Sequence, residues 1–93
     1  LKNYQVLFIL KPDHEPEELK GLYQSLQDNI KKYGGEIENA EEQGKKPLAF
    51  KIGKHAEGVY YFVKFKIEPA QIAALNSDFR LNELIIRVMV TVE

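Results

Sequence analysis

The chain has 93 residues with 44% hydrophobic and 29% charged content, an ordinary globular composition with room for one domain, 1–93, and no second core. It contains no cysteine, which excludes disulfide scaffolds, thiol catalysis, zinc ribbons and iron–sulfur clusters, and no apolar run approaches the roughly 18 residues of a membrane span. The net charge of −1 argues against a generic nucleic-acid binder, yet it hides a split: residues 1–43 carry −4 and residues 44–93 carry +3.

Nothing of signal- or transit-peptide character opens the sequence, and a soluble protein of a reducing compartment is expected. Tyr4 to Leu10 is a dense apolar run interrupted only by Gln5. Its length suits a strand, and apolar residues on both faces suit a central one. Pro12 and Pro16 then break the run. Leu19, Leu22, Tyr23, Leu26, Ile30 and Tyr33 form one helical stripe. Pro16, Glu17 and Glu18 fit its first turn, Lys31 and Lys32 its last, and Gly34 or Gly35 a left-handed stop. The spacing predicts a helix over 16–33.

Residues 36–52 read as a strand whose inward parity switches, from Ile37 at its start to Leu48, Phe50 and Ile52 further on. One extra residue is required, and Gly44-Lys45-Lys46-Pro47 is the expected bulge, on a strand that Pro47 assigns to a sheet edge. His55-Ala56-Glu57-Gly58 is expected as the hairpin turn and Val59 to Ile67 as the return strand. Tyr61, Val63, Phe65 and Ile67 should face inward, leaving Tyr60, Phe62, Lys64 and Lys66 outside. Ile72, Leu75 and Phe79 mark a short helix over 69–79. A last strand, Leu84 to Val92, puts Ile86, Val88, Val90 and Val92 on one side and Ile85, Arg87, Met89 and Thr91 on the other.

This order, βαββαβ, specifies an α+β fold of the ferredoxin-like kind: a four-stranded antiparallel sheet with two helices on one face. The first and third strands should be central, the second and fourth edges. The uncovered face would then display Leu7, Ile9, Tyr60, Phe62, Lys64, Lys66, Arg87 and Met89, enough apolar surface to form a docking patch. Tyr60-Tyr61-Phe62-Val63-Lys64-Phe65 partly fits the aromatic octapeptide of an RNA-recognition motif, but that motif's basic-glycine start is missing.

No active site emerges. The loop after the first strand carries Asp13 and Glu15, which would repel a phosphate, and Glu36, Glu38, Glu41 and Glu42 read as a solvated edge. His14 and His55 fall in predicted turns and read as solvated, and no nucleophile is paired with a base. No enzyme activity, cofactor, metal, small-molecule substrate or membrane partner is expected.

Several blocks together resemble one family. They are Tyr4-x-x-x-x-Ile9-Leu10-x-Pro12, Gly34-Gly35-x-Ile37, Gly44-Lys45-Lys46-x-Leu48-Ala49-Phe50-x-Ile52, Lys54-His55-x-Glu57-Gly58-x-Tyr60, and Phe79-Arg80-Leu81-Asn82-Glu83-x-Ile85-Ile86-Arg87. In spacing over nearly the whole chain they are similar to the family of the sixth protein of the bacterial small ribosomal subunit. Gln5, Gln43 and Pro47 depart from the family's usual residues, and the resemblance stops short of its variable C-terminal tail.

The resemblance implies a structural component of the small subunit, cytoplasmic in the ribosome, with an organellar ribosome not excluded. It implies binding to the central domain of small-subunit ribosomal RNA alongside a small, very basic partner, the eighteenth protein of that subunit. On that reading Lys2, Lys45, Lys46, Lys51, Lys54, Arg80 and Arg87 neutralise phosphates, with Arg87 foremost. Leu7, Ile9, Tyr60, Phe62, Lys64 and Met89 would dock the partner protein, with strand 36–52 as a further docking edge. The alternatives are a homodimerising, ligand-sensing ferredoxin-like module without nucleic acid, and a stand-alone RNA-recognition-motif-like protein.

Overall fold

The computed structural model describes the backbone of residues 1–52 and 55–93, and side chains outside residues 49–55. In chain order the elements are β1 (Lys2–Leu10), α1 (Pro16–Lys32), β2 (Glu36–Ile52), β3 (His55–Ile67), a single 3₁₀ turn (Pro69–Gln71), α2 (Ile72–Arg80) and β4 (Ile85–Val92). The strands form one antiparallel sheet in the order β2-β3-β1-β4, so β1 and β3 are central as expected.

Helix α1 is bounded by the residues that predict it. Pro16 sits in the first turn with Glu17 and Glu18, while Lys31 and Lys32 face the carbonyl end. Gly34 supplies the left-handed stop at φ 84°. The Gly34 and Gly35 amides then donate to the carbonyls of Lys31 and Ile30, at 3.0 and 2.9 Å, satisfying two orphan acceptors.

Both helices cover one face of the sheet. Val6, Phe8 and Leu10 of β1 and Val63, Phe65 and Ile67 of β3 lie beneath Leu26, Ile30, Leu75 and Phe79, all of them fully buried. Phe8 meets Phe79 edge-on at 4.8 Å and Tyr23 stacks on Tyr61 at 4.2 Å. Each such side chain contributes about 1.5–3 kcal/mol of burial, so this layer dominates the stability of a small domain. Polar ends within it are satisfied: Gln27 donates to the Tyr61 hydroxyl at 2.7 Å, and the Tyr33 hydroxyl donates to Asp78, tying α1 to α2.

The structure corrects four expectations. Strand β2 has two bulges before Pro47 rather than one within 44–47: register shifts fall between Ile37 and Asn39 and between Glu42 and Gly44, with a third irregularity between Pro47 and Ile52. Gly44 does mark a bulge, its φ of 80° being the left-handed geometry that an extra strand residue beside it requires. Residues 55–58 are strand rather than turn, since Lys46 pairs with Gly58 and Pro47 with Glu57, while the linking residues 53–54 lie outside the described residues.

Ile85 pairs with Leu10 and packs on the core rather than beside Arg87, because the register shifts between Ile9 and Leu10 and leaves Ile86 as the extra residue. His14 is not solvated. Its side chain is 7% exposed against the first turn of α1, with Nδ1 4.0 Å from a Glu18 carboxylate oxygen. The His55 side chain is outside the described residues.

Candidate nucleic-acid interface

The face opposite the helices is built from alternate residues of the same strands, and the register lines them up in rows. Arg87, Ile9, Tyr60 and Gly44 lie opposite one another across β4, β1, β3 and β2. Met89, Leu7, Phe62 and Glu41 form the next row, and Thr91, Gln5, Lys64 and Asn39 the one after. With about 4.8 Å between strands, each row is some 14 Å across. Apart from Ile85, displaced by the β4 register shift, the residues expected on this face by parity are on it.

Exposure differs along the rows. Leu7, Tyr60 and Phe62 are half-buried and Met89 is 39% exposed. Ile9, expected as open docking surface, is only 5% exposed. Its position on a central strand, with Tyr60 and Arg87 across from it, accounts for that, together with the close approach of Gly58, where an added Cβ would collide with Ile9 Cγ2. Ile9 is therefore a floor of this face rather than a contact. Lys64 is on the face but occupied: its Nζ stands 3.7 Å from a Glu93 carboxylate oxygen, to which Gln5 also donates at 3.2 Å.

The expected phosphate-binding residues do not form one cluster. Arg80, from the end of α2, and Arg87, from β4, line a single groove of about 410 Å³ with Ile86 and Met89 at the outer edge of the sheet. Sequence reading proposed both arginines without a way to know that α2 and β4 share a groove. Lys45 and Lys46 stand on opposite faces, Lys45 opposite buried Val59 and Lys46 opposite Gly58 on the open side. The Lys46 ammonium sits 5.4 Å from the centre of the Tyr60 ring, a cation–π contact.

Lys2 is exposed but opposite Ile67, at the other end of β1 from Arg87's partner Ile9. Lys54 and the side chain of Lys51 lie outside the described residues. Among the described residues, no carboxylate lies within 4.0 Å of Arg80, Arg87, Lys45 or Lys46, whereas Lys32 and Lys64 are engaged. Cations without internal partners are the ones able to take phosphate oxygens. Three features escaped sequence reading: the Glu93–Lys64 contact, the Lys46–Tyr60 pairing and the arginine groove. Only the second had a signal, since a lysine next to a bulge glycine on an edge strand can reach the neighbouring aromatic.

Comparison with known proteins bears on this surface. A family model described as ribosomal protein S6 matches residues 3–91. The small ribosomal subunit protein bS6 of Desulforamulus reducens is 34% identical over 90 residues, covering 97% of this chain and 95% of that protein. The bS6 proteins of Helicobacter acinonychis and Campylobacter concisus are 38% and 39% identical, and this chain spans 63% and 64% of their lengths. The crystal structure of 30S ribosomal protein S6 from Thermotoga maritima superposes with a TM-score of 0.93 at 26% identity, over 99% of this chain and 87% of that one.

Proposed function

The chain belongs to the ribosomal protein S6 family, a structural family of the small ribosomal subunit, and from that premise we propose that it binds the central domain of small-subunit ribosomal RNA together with the small basic eighteenth protein of the subunit. The observation that carries this reading is the groove at the β4 edge, which Arg80 and Arg87 line from different elements, neither having an internal carboxylate partner among the described residues. Arginine holds phosphate oxygens in a planar fork, so Arg80 and Arg87 fix the position of the RNA backbone without reading sequence. Lys45 and Lys46 add charge at the opposite edge, and Lys2 at the far end of β1.

The second row of the open face supports the protein half of the proposal. Leu7, Phe62 and Met89 make an apolar centre bordered by Lys64 and Glu41, the composition of a docking patch with a polar rim. A basic partner would supply the cations that a chain of net charge −1 lacks.

The test is a titration of a central-domain RNA fragment at two salt concentrations, with and without the basic partner. Salt-sensitive binding that strengthens when the partner is added is the expected result. Absence of RNA binding under every condition, with a dimer in sedimentation, would overturn the reading in favour of a self-pairing module.

A further inference from the structure

The row Arg87–Ile9–Tyr60–Gly44 differs from the row beside it. It carries no carboxylate, while the adjacent row ends in Glu41 next to Phe62. Its one aromatic ring has cations on two sides: Arg87 two strands away on the β4 side, and Lys46 with its ammonium 5.4 Å from the ring centre. On the β2 side the cross-strand neighbour is Gly44, where even an added Cβ would meet nothing within 4 Å. On the β1 side the neighbour is Ile9, which is buried. Tyr60 itself is half-buried, so part of it remains open to solvent.

We infer that Tyr60 is a stacking platform for one unpaired base of the bound RNA, with Lys46 and Arg87 taking the phosphates on either side. The inference rests on the RNA-binding reading and specifies its chemistry: a splayed-out nucleotide, not a duplex surface. In the free protein Lys46 occupies the aromatic face through a weak cation–π contact. An arriving nucleotide offers that ammonium a phosphate oxygen, a stronger partner, and the vacated ring offers the base a stacking surface. The open face is then divided, with RNA on the Tyr60 row and partner protein on the Phe62 row.

The experiment uses the full chain and a short oligoribonucleotide carrying 2-aminopurine, single-stranded or annealed to its complement. Quenching of the aminopurine in the single strand, and not in the duplex, is expected with the wild-type protein. Tyr60→Leu should abolish the quenching and weaken single-strand binding about ten-fold while leaving its salt slope unchanged. Tyr60→Phe should retain both, since stacking needs the ring and not the hydroxyl.

Lys46→Gln, a surface change that spares the fold, should keep the quenching and lower the salt slope by about 0.7. Absence of quenching with the wild-type protein, or wild-type RNA affinity in Tyr60→Leu, overturns the inference. So does a Tyr60→Leu protein that loses the basic partner but keeps its RNA. Arg87→Ala separates the two levels. If it weakens RNA binding while Tyr60→Leu does not, only the stacking assignment falls. If the wild-type chain binds no RNA with or without the partner, the functional reading falls with it.

Discussion

The two faces of β1 and β3 are made by alternate residues of the same strands, yet they are built to different ends. On the helix side Val6, Phe8, Val63 and Phe65 are completely buried beneath helix side chains. On the other side their immediate neighbours Leu7, Tyr60 and Phe62 are only half-buried, and their borders are charged. A sheet with one dry face and one half-covered apolar face has its stability on the first and its surface for association on the second. Substitutions on the two faces should therefore separate stability from binding.

The largest stability effect is expected on the covered face. Phe8→Ala removes a fully buried ring that meets Phe79 at 4.8 Å, and should cost about 3–5 kcal/mol, read as a lower denaturant midpoint. Phe62→Ala, one row over on the open face, should cost about 1 kcal/mol of stability while weakening association with the basic partner by considerably more. Equal stability losses from the two changes would break the comparison.

Gly58 lies on the open side, close against Ile9. Gly58→Ala drives a Cβ into Ile9 Cγ2, on a branched side chain with little room to move, and should cost about 1–3 kcal/mol by overpacking. Gly44→Ala has open space around it but a φ of 80°, so its expected cost of about 1 kcal/mol is conformational. Arg87→Ala should change stability by no more than about 0.5 kcal/mol, while the RNA affinity and its salt slope both fall.

A smaller effect should appear only in alkali. Burial raises the Tyr61 hydroxyl above 10.0, partly offset by the Gln27 hydrogen bond, and burial likewise raises Tyr23. Tyr33 is raised first by its hydrogen bond to Asp78. All three hold their protons more tightly folded than unfolded, so their contribution is complete below the unfolded value and is lost as pH climbs through the folded ones. Stability should be level on this account at neutral pH and decline above about pH 10. A thermal-melting series in pH checks it.

The alternation of Val59 to Ile67 is strict enough that the sequence alone assigns Tyr60, Phe62 and Lys64 to one face and Tyr61, Val63 and Phe65 to the other, and the structure agrees. The stripe from Leu19 to Tyr33 is equally legible, because its period, caps and end charges all coincide. Strand β2 was less legible. Its bulges at Glu38 and Gln43 are set by pairing with β3, and only Gly44 advertises one of them.

The same pairing separates Lys45 from Lys46, adjacent in sequence and on opposite faces in space. Burial of Ile9 could not be read either, since it depends on strands that pair from elsewhere in the chain. The arginine groove follows from the packing of α2 beside β4, a tertiary fact with no local signature.

The central claim, that the open face with its β4 edge and not the outer side of α1 meets the ribosomal partners, is tested most directly by hydroxyl-radical footprinting of side chains. The chain would be oxidised free and in complex with the central-domain RNA fragment and the basic partner. Protection of Met89, Phe62 and Tyr60, with the helix-side Leu19 and Tyr33 unchanged, is the expected result. Protection confined to Leu19 and Tyr33, with Met89 and Phe62 oxidised as in the free chain, would contradict it.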